Sequence, residues 1–153
     1  MSKPAAQHAT FTIERALDAP VAKVYAAFAT EQGKSRWFAG HGKWELIERQ
    51  FDFRVGGRER LKGKWPSGDV TDFDCTYRDI VPEQRIVYTY DLYHNGNKLS
   101  VSLATILFKS DGKGTQLSVI EQGVFLDGYD DAGSRERGTR ELIEWLAASL
   151  GDH

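Results

Sequence analysis

FDFRVGGRERLKGKWPSGDVTDFDCTYRDIVPEQRIVYTYDL, residues 51–92, decides the fold. Gly56-Gly57 breaks the first run, Pro66-Ser67-Gly68-Asp69 is a turn cluster, and Val81-Pro82-Glu83-Gln84 is another. Proline presets φ and glycine permits positive φ, so these breaks have a mechanical basis. Between them the side chains alternate. Arg58, Arg60, Lys62 and Lys64 point one way, and Glu59, Leu61, Gly63 and Trp65 the other. Phe73, Cys75 and Tyr77 share a face, as do Ile86, Tyr88, Tyr90 and Leu92. Period 2 marks strands with one wet and one covered face. The stretch therefore reads as three antiparallel strands in series, covered on one side by the rest of the chain.

Working outward, residues 1–9 are small and polar and read as a frayed terminus. Residues 10–17 alternate as a first strand. Asp18-Ala19-Pro20 reads as a helix start, with the acid near the cap. Val21, Val24, Tyr25 and Phe28 follow at helical spacing. Thr30 can cap a second short helix ending near Trp37-Phe38. Residues 44–53 read as the second strand. His94-Asn95-Gly96-Asn97 is a hairpin turn. Residues 98–109 and 115–125 are two more strands, the first with both faces at least half covered. Residues 134–150 form a terminal helix with a stripe of Gly138, Leu142, Leu146 and Leu150, and Trp145 at its edge. One strand, two short helices, six strands and one long helix make an α+β domain, because the elements are segregated rather than alternating as βαβ.

Several motifs carry a resemblance. They are Asp52-Phe53-Arg54-Val55-Gly56-Gly57, then Gly68, then the corner Val81-Pro82-Glu83-Gln84-Arg85-Ile86-Val87. Val24-Tyr25-x-Ala27-Phe28, Trp37-Phe38 and Gly114-Thr115-x-Leu117 add to it. In order and spacing they resemble the homologues of the activator of the 90-kDa heat-shock protein ATPase, within the START-like (SRPBCC) superfamily. The resemblance implies a helix-grip fold, in which a curved seven-stranded antiparallel sheet grips the C-terminal helix around a cavity. It also implies two roles: binding a small hydrophobic or amphipathic ligand, or docking on the chaperone. Cyclases and hydrolases in the superfamily keep an enzyme in view. Where the family often carries Gly-Trp at the last helix, this chain has Gly138-Thr139.

Composition narrows the classes. The 153 residues fit one domain, and 41% hydrophobic and 27% charged residues are ordinary globular values. A net charge of −2 argues against nucleic acid and anionic membranes as partners. A single cysteine excludes an internal disulfide, and no Cys/His cluster suggests a metal. No run approaches the about 18 apolar residues of a membrane span. The expectation is a cytoplasmic protein without a cofactor, monomeric or homodimeric.

No catalytic signature stands out. Gly56-Gly57 lies between strands and leads into no helix, so it reads as a bend rather than a phosphate loop. His41, in a glycine loop after Trp37-Phe38, is either a titrating group at a cavity mouth or an exposed loop residue. Cys75 reads as a small inward filler. The Arg58, Arg60, Lys62, Lys64 row is a solvated outer face or a docking surface for an acidic partner. Glu121 follows Leu117 and Val119 in phase. It is turned inward, where a carboxylate needs a partner such as Arg54, or it is solvated beyond the sheet. The expected ligand site has Trp37, Phe38, Trp65, Tyr77, Tyr88 and Leu142 as apolar wall. Glu121 with Arg54 is its polar pole, His41 lies at its mouth, and Gly138 leaves space. Aromatic walls with few polar groups suit an amphipathic small molecule.

Overall fold

The structure, a computed structural model, describes residues 5–39 and 42–151. The chain order is β1 (Ala6–Leu17), α1 (Val21–Ala29), α2 (Glu31–Ser35), β2 (Glu45–Phe51), β3 (Arg58–Lys64), β4 (Val70–Val81), β5 (Arg85–His94), β6 (Asn97–Asp111), β7 (Gly114–Leu126) and α3 (Ala132–Gly151). The strands make one seven-stranded antiparallel sheet in the order β1-β7-β6-β5-β4-β3-β2. The sheet curves, and α1, α2 and α3 cover one face, as the helix-grip reading requires. Asn95 and Gly96 both have positive φ, the geometry that matches a two-residue turn to the twist of its strands.

Alternation sets the covered face. Phe73, Cys75 and Tyr77 of β4, Ile86 and Tyr90 of β5, Ala104, Ile106 and Phe108 of β6, and Leu117 and Val119 of β7 are buried. Val24, Ala27 and Phe28 of α1 and Trp37 after α2 close the same core. Cys75 is fully buried, and burial pushes its thiol up to about 12, so it is an inert filler. The Gly56-Gly57 turn joins β2 to β3. Its backbone exchanges hydrogen bonds with Tyr77, and a Cβ on Gly57 would strike the Asp52 carbonyl.

The structure corrects the sequence reading at four places. The first strand begins at Ala6, because Ala6–Ala9 pair with the end of the long β7. Pro20, not Asp18, is the N-cap of α1, and no side chain caps it. Thr30 does cap α2, accepting from the Gly33 amide at 3.0 Å. The outer face of β6 is wetter than expected, with Val101 and Leu107 exposed, while Ser100 and Ser102 lie on the covered face. The Arg58/Arg60 row is no free basic stripe, since these arginines pair across the strands with Asp74, Asp72 and Glu48.

The apolar stripe of α3 is confined to its second half. Ile143, Leu146 and Leu150 are buried there, whereas the one buried residue of the first half is Arg135. Leu146 is wholly inaccessible, and Leu142 is only half-buried. Leu146→Ala should therefore destabilise the protein by about 2–5 kcal/mol in denaturant unfolding, the cost of a cavity in a packed core. Leu142→Ala should cost less, because Leu142 is only partly buried and already borders the open cavity.

Candidate functional site

Between the first half of α3 and strands β3 to β7 lies a cavity of about 390 Å³. Three layers of sequence make it. The covered faces of β4 and β5 supply Phe73, Tyr88, Tyr90 and Leu92, and the α2 end supplies Lys34, Trp37 and Phe38. Helix α3 supplies Arg135, Gly138, Leu142 and Trp145. Trp44 closes the β2–β3 end, lying so close over Gly63 that any Cβ there would overlap its indole. The walls are mainly apolar and aromatic, the composition of small-molecule sites in general.

Two charged clusters interrupt that lining. In the first, Glu121 of β7 is 3% exposed, and both its oxygens accept from the Tyr90 hydroxyl at 2.9 Å. Arg135 of α3 donates to the Tyr90 oxygen at 2.9 Å, to Ser100 Oγ at 2.7 Å and to Asp130 at 2.8 Å. Its guanidinium stands 3.5 Å from Glu121. Burial pushes the Glu121 carboxyl above its ordinary range. The Arg135 charge and the Tyr90 hydrogen bond oppose this without cancelling it. Burial and the adjoining Glu121 also raise the Tyr90 hydroxyl, which stays protonated and donating.

The second cluster sits at the α2 end. Glu59 of β3 is completely buried and bonds Lys34 at 2.5 Å and Arg49 at 2.8 Å. The Tyr77 hydroxyl donates to the same Glu59 oxygen. Lys34 Nζ lies 4.5 Å from the Phe38 ring centre, with the Phe73, Tyr77 and Tyr88 rings at 5.9 Å. Such a cage of rings favours a cation. Burial drives the Glu59 carboxyl up. The two neighbouring cations and the Lys34 and Tyr77 hydrogen bonds outweigh it and hold the group below its ordinary range.

The expected site residues divide. Trp37, Phe38, Trp65, Tyr88, Glu121, Gly138 and Leu142 all lie on the cavity wall, Trp65 at a more open position. Gly138 has open space where a side chain would project. Two expectations are corrected. Arg54 is exposed and bonds Asp52, so it cannot balance Glu121; Arg135 does so instead. Tyr77 is turned away from the cavity onto Glu59, because its hydroxyl finds a buried carboxylate there. His41 lies outside the described residues. Sequence reasoning missed Lys34, Glu59, Arg49 and Arg135. For Arg135 a signal existed: residues 135, 139, 142, 146 and 150 follow helical spacing, so Arg135 continues the covered stripe. For Glu59 the alternation with Leu61 and Gly63 placed it on the covered face.

Comparison with known proteins agrees with the architecture. The family model described as Activator of Hsp90 ATPase homolog 1-like protein matches residues 18–151. A solved protein from Rhizobium leguminosarum is 39% identical, with TM-score 0.94 over 99% of this chain and 100% of its own. A protein from Rhizobium loti is 42% identical, with TM-score 0.87 over 95% and 99%. An AHSA1-like protein from Aeromonas hydrophila, 18% identical, shares the fold with TM-score 0.71 over 95% of this chain and 97% of its own. No curated protein matches. Among the described residues no helix is long and apolar enough to cross a membrane, and no cluster of metal-ligating side chains occurs.

The two clusters make opposite contributions to acid stability. Glu59 has a depressed carboxyl pKa, so its contribution is present above the usual carboxylate range and is lost as pH falls through the folded value. Glu121 has a raised one, so its contribution is present at low pH and is lost as pH rises through that value. Glu59→Gln leaves Lys34 and Arg49 buried without a carboxylate and should cost about 3–5 kcal/mol at neutral pH. In unfolding titrations, that deficit should shrink as the pH is lowered below the carboxylate range.

Proposed function

The chain belongs to the Activator of Hsp90 ATPase homolog 1-like family, and from that premise we propose that it binds a small amphipathic molecule in the cavity beneath α3. The observation that carries this reading is an aromatic-walled space of about 390 Å³ with the Glu121–Tyr90–Arg135 group on its wall. Apolar walls supply affinity by removing ligand surface from water, and a few fixed polar groups orient it. Asp130 and Glu121 together face one arginine, so this end has one carboxylate more than its cation balances. A hydrogen-bond donor or cation on the ligand complements it.

A second reading, docking on the chaperone that the family name records, draws on Leu46, Ile47 and Val55, which are exposed at and beside edge strand β2. An interface there would need far more apolar area than three side chains supply. Cavity binding is the better-supported function.

Isothermal calorimetry with 3-phenylpropylamine and 3-phenylpropanol separates the wall from the pole. Both should bind the native protein. Glu121→Gln should weaken the amine about tenfold, the cost of one charge-assisted hydrogen bond, and the alcohol much less. Equal losses for both, or no binding of either, would contradict the reading.

A further inference from the structure

The Lys34 end of the cavity holds polar capacity that the protein does not use. Among the described residues, Glu59 is the one carboxylate in ion-pair range of Lys34 and Arg49, so two cations share one anion. Arg49 Nη2 is buried and has no hydrogen-bond partner among the described residues. Lys34 has three N–H groups and two oxygen partners, Glu59 and Tyr77. Beside it, Tyr88 lines the cavity with its ring 5.9 Å from Lys34 Nζ. The Tyr88 hydroxyl makes no hydrogen bond among the described residues, although Tyr77 and Tyr90, its neighbours on the same face, each donate to a carboxylate. Tyr88 is half-buried on the cavity wall, so its hydroxyl is a donor that a bound acceptor can use.

We infer that Lys34 and Tyr88 form a second polar subsite, for an anionic group of the ligand such as a carboxylate, which accepts from both a cation and a hydroxyl. This deepens the cavity-binding reading and rests on it. The net charges agree: the α2 end carries one cation in excess and the Glu121 end one carboxylate in excess. The cavity thus favours a molecule with an apolar or aromatic body, an acid at the Lys34 end, and a donor at the Glu121 end. An amino acid or hydroxy acid with an aromatic or aliphatic body meets all three conditions. Neither end needs to abandon its internal partners, since each bond to the ligand uses a group that is now idle or over-supplied.

The test is calorimetry on the full chain at pH 8 with 3-phenylpropanoate against 3-phenylpropanol. The native protein should prefer the acid. Tyr88→Phe should weaken the acid about tenfold and the alcohol little. It should not lower the thermal midpoint, because the hydroxyl removed has no partner in the fold. Lys34→Met should abolish the preference for the acid. That variant breaks a buried ion pair and is open to folding defects, so Tyr88→Phe carries the decision. Equal affinity for acid and alcohol in the native protein, or equal losses for both in Tyr88→Phe, would overturn the subsite while leaving cavity binding intact. Binding of neither probe would overturn both.

Discussion

Arg135 holds the first half of α3 against the sheet, and the shape of the cavity depends on that one side chain. Residues 135–141, Arg-Glu-Arg-Gly-Thr-Arg-Glu, offer no apolar side chain to pack. A helix segment of this composition would ordinarily sit in water. Here its one buried member, only 8% exposed, reaches Tyr90, Ser100, Glu121 and Asp130. The second half of α3 packs through Ile143, Leu146 and Leu150, and Glu144 and the Leu150 carbonyl accept from Arg15 of β1 and Lys23 of α1. One end of the helix is therefore pinned by polar bonds and the other by apolar contact. A long arginine spans a gap that leucines would have closed.

The same constraint decides the chemistry of the space. An apolar side chain at Arg135 would leave Glu121 as a buried carboxylate without a cation, a costly state. Arg135 and Glu121 thus require one another, and their common partner Tyr90 ties α3 to β5 as well as β7. At the other end, Glu59 joins α2, β2 and β3 through Lys34 and Arg49. Buried ionic groups of this sort contribute modestly to net stability compared with apolar packing. Their consequence here is positional: they fix charged groups at two places on an otherwise aromatic wall.

Much of this was legible in the chain. Alternation in residues 51–92 and the turn residues between runs specify strands, faces and order, because a one-residue slip would invert every side chain. The inward turn of Glu121 followed from its phase with Leu117 and Val119. The ends of elements were less legible. Gln7 and His8 show no apolar alternation, and they are strand because β7 is long enough to pair with them. Partners across the fold were the least legible. Arg54 and Arg135 are equally basic in sequence, and only the curvature of the sheet, which carries α3 over β7, selects Arg135. Tyr77 and Tyr88 likewise share a strand-pair position, directly opposite each other. Glu59 on the adjoining strand draws one hydroxyl away and leaves the other on the cavity wall.

The central claim is that Arg135 pins the first half of α3 over the cavity independently of the apolar second half. Amide hydrogen exchange of Arg135→Met resolved along α3 addresses it most directly. If the claim holds, protection falls over residues 135–141 and persists over residues 143–150, since local opening follows the loss of local contacts. Unchanged protection across the whole helix, or a uniform loss over both halves, would contradict it.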